Sequence, residues 1–345
     1  MASNRDLLWQ RLWYEGKPRW LLLLLIPCSW LFRLIAGLRR AAYRVGVFRV
    51  QRVSRPVIVI GNISVGGTGK TPFVIWMTRF LQGQGRRVGV VLRGYGGDSA
   101  HWPRDVYADT PASEVGDEPV LHAASTNAIV VAGPDRVAAA HRAIERGAEI
   151  VLTDDGLQHY RLGRDGEIAV VDAQRGLGNR RLLPAGPLRE PASRLRSVDL
   201  IVKTRRSGVA TPASAVEKEV IADARIGDAV ALLAGSTRPL DSFRGMRVHA
   251  LAAIGNPGAF FSSLRHAGLE IVEHPYPDHS VLTRAEITFD DDAPVLMTEK
   301  DAVKCRALAD GRHWAVRLDT ILDAGGTALI GELVDRVMRS HAGTR

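Results

Sequence analysis

Ser64-Val-Gly-Gly-Thr-Gly-Lys-Thr71 closes a glycine-rich stretch with an amine and a hydroxyl. Glycines let successive backbone N–H groups turn toward one anion, the lysine adds a point charge, and the threonine oxygen suits a divalent cation. Such a set binds nucleotide phosphates. Ser64, Val65, Gly66, Gly67, Thr68 and Gly69 would form the cradle, Lys70 would reach the β- and γ-phosphates, and Thr71 would bind Mg²⁺. Ser64 stands where the usual first glycine would be, so the Gly66-Gly67 pair is expected to supply the unusual dihedrals. Downstream, Asp154-Asp-Gly-Leu-Gln-His159 ends an apolar run. Carboxylates at that place hold or orient a phosphate-bound metal. Taken alone, either motif also describes an ordinary turn.

The flanking elements separate these readings. Residues 56–60 are an apolar, β-branched run that reads as a buried parallel strand, and 72–81 read as a helix with Pro72 tolerated in its first turn. Strand, loop and helix together make a P-loop. Further strands are expected over 87–92, 128–132, 149–153 and 168–172, with a helix over 137–146. Alternating strands and helices predict a doubly wound, mostly parallel α/β sheet of the P-loop NTPase type, with ligands at the C-terminal strand ends. Strands over 230–234, 248–254, 270–272, 295–298 and 313–317, with a helix over 256–266, suggest a second, smaller α/β unit. The expected organisation is an N-terminal segment 1–48, a P-loop core 49–224 and a smaller domain 225–345.

Charge is distributed unevenly. Residues 1–55 hold 11 of the 46 Lys/Arg and two of the 37 Asp/Glu, which accounts for the whole net charge of +9. The rest of the chain is neutral, which points away from a broad nucleic-acid-binding face and disfavours a nucleic-acid motor. Two distant cysteines, Cys28 and Cys305, exclude a disulfide scaffold and a cysteine zinc site. Residues 20–32 are uncharged for 13 residues, short of the roughly 20 that a spanning helix needs. Trp9, Trp13, Trp20 and Trp30 and the arginines predict a helix in the membrane interface. A full span with Arg33 snorkelling and a buried core helix are the competing readings. A signal peptide is disfavoured, because Leu38-Arg39-Arg40 stands in place of a small-residue cleavage site.

Seven motifs occur in order: the Ser64–Thr71 loop, Arg93-Gly-Tyr-Gly96, Gly116-Asp-Glu-Pro119, Asp154–His159, Pro184-Ala-Gly-Pro-Leu-Arg-Glu190, Pro277-Asp-His279 and Thr298-Glu-Lys-Asp301. With the basic, apolar N-terminus, this set resembles the tetraacyldisaccharide 4′-kinase family of lipid A biosynthesis, from the N-terminal helix to about Lys304. The resemblance implies transfer of the ATP γ-phosphate to the 4′-hydroxyl of an acylated glucosamine disaccharide 1-phosphate, giving lipid IVA. It implies peripheral attachment to the cytoplasmic face of the inner membrane, and no obligate protein partner is inferred. Asp117 matches the family's base and His279 the histidine that pairs with it. A carboxylate that accepts the proton of a sugar hydroxyl helps a poor nucleophile. Asp154 and Asp155 match the family's acidic pair, for Mg²⁺ or for orienting the metal-bound water, and Glu190 would complete the metal shell. Tyr95, Arg136, His159 and Arg189 are candidates for binding the substrate's 1-phosphate or the transferred group, since guanidinium forks suit phosphate.

A membrane-associated nucleotide switch is the competing function. A GTPase should carry Asn-Lys-x-Asp or Thr-Lys-x-Asp for guanine; Thr298-Glu-Lys-Asp301 has its lysine one place late. It also falls in the second unit, where it is expected to lie too far from the P-loop to read a bound base.

Overall fold

The computed structural model describes residues 8–206, 218–278 and 280–342. Among the described residues, thirteen strands form one sheet: β1 Val57–Gly61, β2 Val88–Leu92, β3 Arg104–Val106, β4 Ile129–Ala132, β5 Ile150–Thr153, β6 Gly166–Asp172, β7 Leu200–Arg206, β8 Glu219–Ala231, β9 Thr237–Arg238, β10 Arg247–Ala252, β11 Glu270–Pro275, β12 Val295–Thr298 and β13 His313–Leu322. The order is β11-β10-β12-β13-β8-β7-β6-β1-β5-β2-β4-β3, with β9 paired to β8. All pairs are parallel except β3 with β4, β8 with β13 and β8 with β9. The helices that matter for the site are α1 Arg19–Arg44, α2 Lys70–Gly83, α3 Asp117–Ser125, α4 Arg136–Glu145, α5 Pro257–His266, α6 Glu299–Cys305 and α7 Ala324–Ala342. The fold is a doubly wound, mostly parallel P-loop sheet extended by a second parallel set of strands.

Strands β1, β2 and β5 are buried at every residue, which is why their sequences run apolar without alternating. Ile58 and Ile60 point into one core with Phe73 and Met77 of α2; Val57 and Val59 point into the other with Val137 and Ala140 of α4. The expected strand at 230–234 is instead the end of β8, which begins at Glu219. Its charges hid it. Glu219 and Asp223 are matched across the ladder by Lys203 and Arg205 of β7, each pair 2.6 Å apart. Residue 225, the expected start of a second unit, lies inside this strand, where β8 passes from its β7 pairing to its β13 pairing. The last helix, α7, inserts Ile330, Leu333, Val334 and Val337 into the same core as Ile58 and Ile168.

Helix α1 is twice as long as the uncharged run within it, 26 residues, or about 39 Å at 1.5 Å per residue. Length and composition suffice to cross a membrane. One face docks on the body: Ser29 is buried, Phe32 packs on the β1–α4 core, and Tyr43 meets the Tyr160 ring at 5.9 Å. The other face exposes Trp20, Leu23, Leu24, Trp30, Leu31, Leu34 and Leu38 at helical spacing. A buried core helix is therefore excluded.

Candidate active site

The loop after β1 turns at Gly66 and Gly69, whose φ values are +99° and +75°. The expected Gly66-Gly67 pair is thus replaced by a Gly66/Gly69 pair, because Gly67 does not enter the left-handed region. Gly69 immediately precedes α2, so the loop's amides lead into the positive end of a helix. The loop is held from three sides. Thr204 of β7 donates to the Thr68 carbonyl at 2.8 Å, and the Asn62 amide donates to the Thr68 hydroxyl at 3.2 Å. Val65 N–H donates to the Pro187 carbonyl at 2.8 Å, and Ser64 bridges to Leu188. The Val65 amide is therefore committed to the scaffold.

The acidic pair meets the loop directly. The Thr71 hydroxyl donates to Asp154 Oδ2 at 3.0 Å, and His122 Nε2 lies 3.1 Å from the same oxygen. Asp154 Oδ1 is buried and accepts no hydrogen bond among the described residues. Lys70 Nζ stands 3.6 Å from Asp155 Oδ1, and Arg189 donates to Asp155 Oδ2 at 2.8 Å. Burial pushes the Asp155 carboxyl up, but Lys70, Arg189 and Arg136 outweigh it and hold the group below its usual range, ionised. Asp155 takes a left-handed φ of +55°, which Asp tolerates better than most residues. Arg136 opens α4 as a buried cation, donating to the Gly133 and Asp154 carbonyls at 3.2 and 3.4 Å. Burial lowers its pKa to about 10, so it stays charged at neutral pH. His159 is pushed down to about 4 by burial and by Arg136 and Arg164, so it is a neutral imidazole. Burial and the neighbouring Asp154 push the Glu118 carboxyl up.

Glu190 stands apart from the acidic pair. One oxygen accepts from Gln158 Nε2 at 2.9 Å and the other from the Tyr160 hydroxyl. Gln158 also donates to the Asn62 carbonyl at 2.9 Å, so this carboxylate braces the base of the P-loop. Both Glu190 oxygens thus accept hydrogen bonds, and the residue lines the same cavity as the acidic pair. Among the described residues, no three His, Cys, Asp or Glu form a metal-holding group. A Mg²⁺ site would accordingly rest on one or two carboxylates, the Thr71 oxygen and phosphate oxygens, as Mg²⁺ sites at nucleotides commonly do. The orphaned Asp154 Oδ1 fits that demand.

Lys70, Thr71, Arg136, Asp154, Asp155 and Glu190 line one cavity of about 1150 Å³. Phe32, Ile35 and Arg39 of α1 face it, as do Tyr95, Asp117, His159 and Arg189. Asp117 is the first residue of α3. Gly116 before it has a φ of +87°, and a Cβ there would overlap the Tyr95 carbonyl oxygen. That close approach explains why Arg93-Gly-Tyr-Gly96 and Gly116-Asp-Glu-Pro119 act as one structural unit. His279 lies outside the described residues; Asp278 before it lines the cavity and pairs with Lys300 at 3.3 Å. Thr298, Glu299 and Lys300 line the same cavity, so this motif is nearer the P-loop than expected. Asp301 is fully buried, accepting from Ala253 N–H at 3.0 Å and from the hydroxyl of Thr298, the N-cap of α6, at 2.7 Å, so its carboxylate is committed to the scaffold rather than to reading guanine.

Residues 21–337 match the profile of the tetraacyldisaccharide-1-P 4′-kinase family. The chain belongs to this family. It is 46% identical over 331 residues to the tetraacyldisaccharide 4′-kinase of Nitrosococcus oceani, covering 95% of each chain. It is 48% identical over 310 residues to that of Alkalilimnicola ehrlichii, covering 88% of this chain and 89% of the relative. A crystal structure of LpxK from Aquifex aeolicus in complex with ATP superposes with a TM-score of 0.80 at 29% identity, covering 92% of this chain and 99% of that one. Membership in a kinase family makes the P-loop, rather than a structural turn, the reading of Ser64–Thr71.

Sequence reasoning missed four contributors to this kinase-family site: Asn62, His122, Gln158 as a brace, and Thr204. None sits in a motif whose chemistry names its role. Their functions come from partners 6 to 136 residues away in the chain.

Proposed function

We propose that this chain transfers the γ-phosphate of ATP to the 4′-hydroxyl of a tetraacylated glucosamine disaccharide 1-phosphate. The observation that carries it is the shared cavity: the Lys70–Asp155 and Thr71–Asp154 contacts open into the space that Phe32 and Ile35 of the apolar helix also line. A lipid acceptor and a nucleotide need such a common chamber. Lys70 would neutralise charge on the transferring group, in line with its position at the head of α2. Thr71, Asp154 and Asp155 would hold Mg²⁺, which when bound adds positive charge to the phosphate oxygens. Asp117 would accept the proton of the sugar hydroxyl, with His279 as its partner on the family resemblance. Arg136, Arg189, Tyr95 and the neutral His159 would orient the acceptor's phosphate or the transferred group.

The exposed apolar stripe of α1, with Arg33, Arg39, Arg40 and Arg44 on the same helix, supports a peripheral position on the cytoplasmic face of the inner membrane. The docked face of α1 favours lying on the surface over a free span. Protease protection in sealed vesicles with that face outward tests this; shielding of the first twenty residues in the lumen would mean a span. The activity itself is tested with γ-labelled ATP and the acylated disaccharide 1-phosphate, with and without Mg²⁺. Label in the lipid is expected only with Mg²⁺. Nucleotide turnover that leaves the lipid unlabelled would favour the switch.

A further inference from the structure

His122 is a fully buried histidine outside every motif of the site. It sits on the second turn of α3, five residues after Asp117, and its Nε2 lies 3.1 Å from Asp154 Oδ2. The same oxygen accepts from Thr71 at 3.0 Å. Two donors on one carboxylate oxygen fix the rotation of the carboxyl group. The other oxygen, Oδ1, is then buried without a hydrogen bond. A carboxylate oxygen buried without a partner costs free energy unless a donor or a cation meets it.

We infer that His122 is a positioning residue for the metal: it holds Asp154 by one oxygen so that the other stays available to the cation accompanying the nucleotide. The inference rests on the Mg²⁺–ATP part of the proposed function. The bond requires the imidazole to donate from Nε2. His122 Nδ1 is buried and bonds to nothing among the described residues, which suits the tautomer with its single proton on Nε2. A hydroxyl that donates its hydrogen to Asp154 also keeps the Thr71 oxygen lone pairs free for the same cation. The carboxylate and the threonine are thereby oriented by one contact, and the histidine is not among the residues that line the cavity. Partners of this kind typically change metal affinity by about 10–100-fold when lost.

The test compares His122→Phe, which keeps a ring but loses the donor, with His122→Gln, which restores an N–H donor. Mn²⁺ binding to the full-length protein saturated with ATP is followed by electron paramagnetic resonance, without acceptor lipid. ATP binding in excess chelator and thermal melting are measured alongside. His122→Phe should weaken Mn²⁺ binding by about 10–100-fold. Metal-free ATP binding should stay within about twofold, and His122→Gln should recover most of the metal affinity. Unchanged Mn²⁺ binding in a folded His122→Phe protein would overturn the inference. So would parallel loss of metal-free ATP binding, or failure of His122→Gln to recover metal affinity in a protein that melts like the wild type. If the ATP-loaded wild type itself binds no Mn²⁺, the metal reading of the site fails instead. That outcome overturns the inference through its premise and is recognised before any variant is compared.

Discussion

The Ser29 hydroxyl donates to the Leu182 carbonyl at 2.7 Å and accepts from the Ala185 N–H at 3.0 Å, so one buried side chain joins the apolar helix to the segment leading into Arg189. Ser29→Ala should leave both backbone groups without this partner, costing about 1–3 kcal/mol. The acceptor face of the site should loosen more than the P-loop, which the same segment also holds through Pro187 and Leu188. We expect KM for the lipid acceptor to rise several-fold, more than KM for ATP, together with a lower melting temperature. Equal rises in both KM values would mean that Ser29 supports the body as a whole.

Lys70 stands between the P-loop and Asp155. Lys70→Ala should cut turnover by about 10²–10³ while the protein stays folded, because an electrostatic contact to the transferring group is lost. Asp155 should also lose one of the cations that keep its carboxyl ionised, and its pKa should rise. Steady-state kinetics with a melting curve checks the first effect, and carboxyl titration by NMR checks the second.

Asp117→Ala and His279→Ala should each reduce turnover by about 10²–10⁴ with a smaller effect on ATP binding. If the pair works as a unit, the double variant loses much less than the product of the single losses. Multiplicative losses in a double-variant cycle would assign the two residues independent roles.

The depressed pKa of His159 has a definite consequence for stability. Its imidazole titrates near 4 in the fold and near 6.5 when unfolded. Between those values the unfolded chain binds the extra proton, so stability rises with pH through this window and falls as pH drops from about 6.5 toward 4. His159→Phe should flatten that part of the melting-temperature profile between pH 4 and 7. An unchanged slope would show that other groups produce it.

The strands that carry chemistry were legible because a buried parallel strand has a plain signature: residues 57–61, 88–92 and 150–153 are continuous apolar runs, each followed by a polar cluster. Strand β8 was not, since its charges are cancelled by Lys203 and Arg205 on a neighbour that only the fold supplies. Strand β3, three residues at the sheet edge, is too short to leave a pattern. The site divides the same way. Lys70, Thr71 and Asp154 declare themselves by spacing, whereas the bonds that tie Glu190 to Gln158 and Tyr160 leave no pattern in the chain. His122 has an unremarkable sequence context, and only the packing of α3 brings it to Asp154.

The insertion of α7 into the core of the first half has a consequence in time. That core lacks Ile330, Leu333, Val334 and Val337 until almost the whole chain has been synthesised. Helix α1, by contrast, is complete at residue 44. At typical synthesis rates, roughly 15–60 s separate the two events. Throughout that interval the growing chain displays its apolar stripe while its phosphate-binding core is still incomplete. On the proposed membrane attachment, a nascent chain would meet the bilayer before its nucleotide-binding core is complete, so that arrival at the lipid would precede activity.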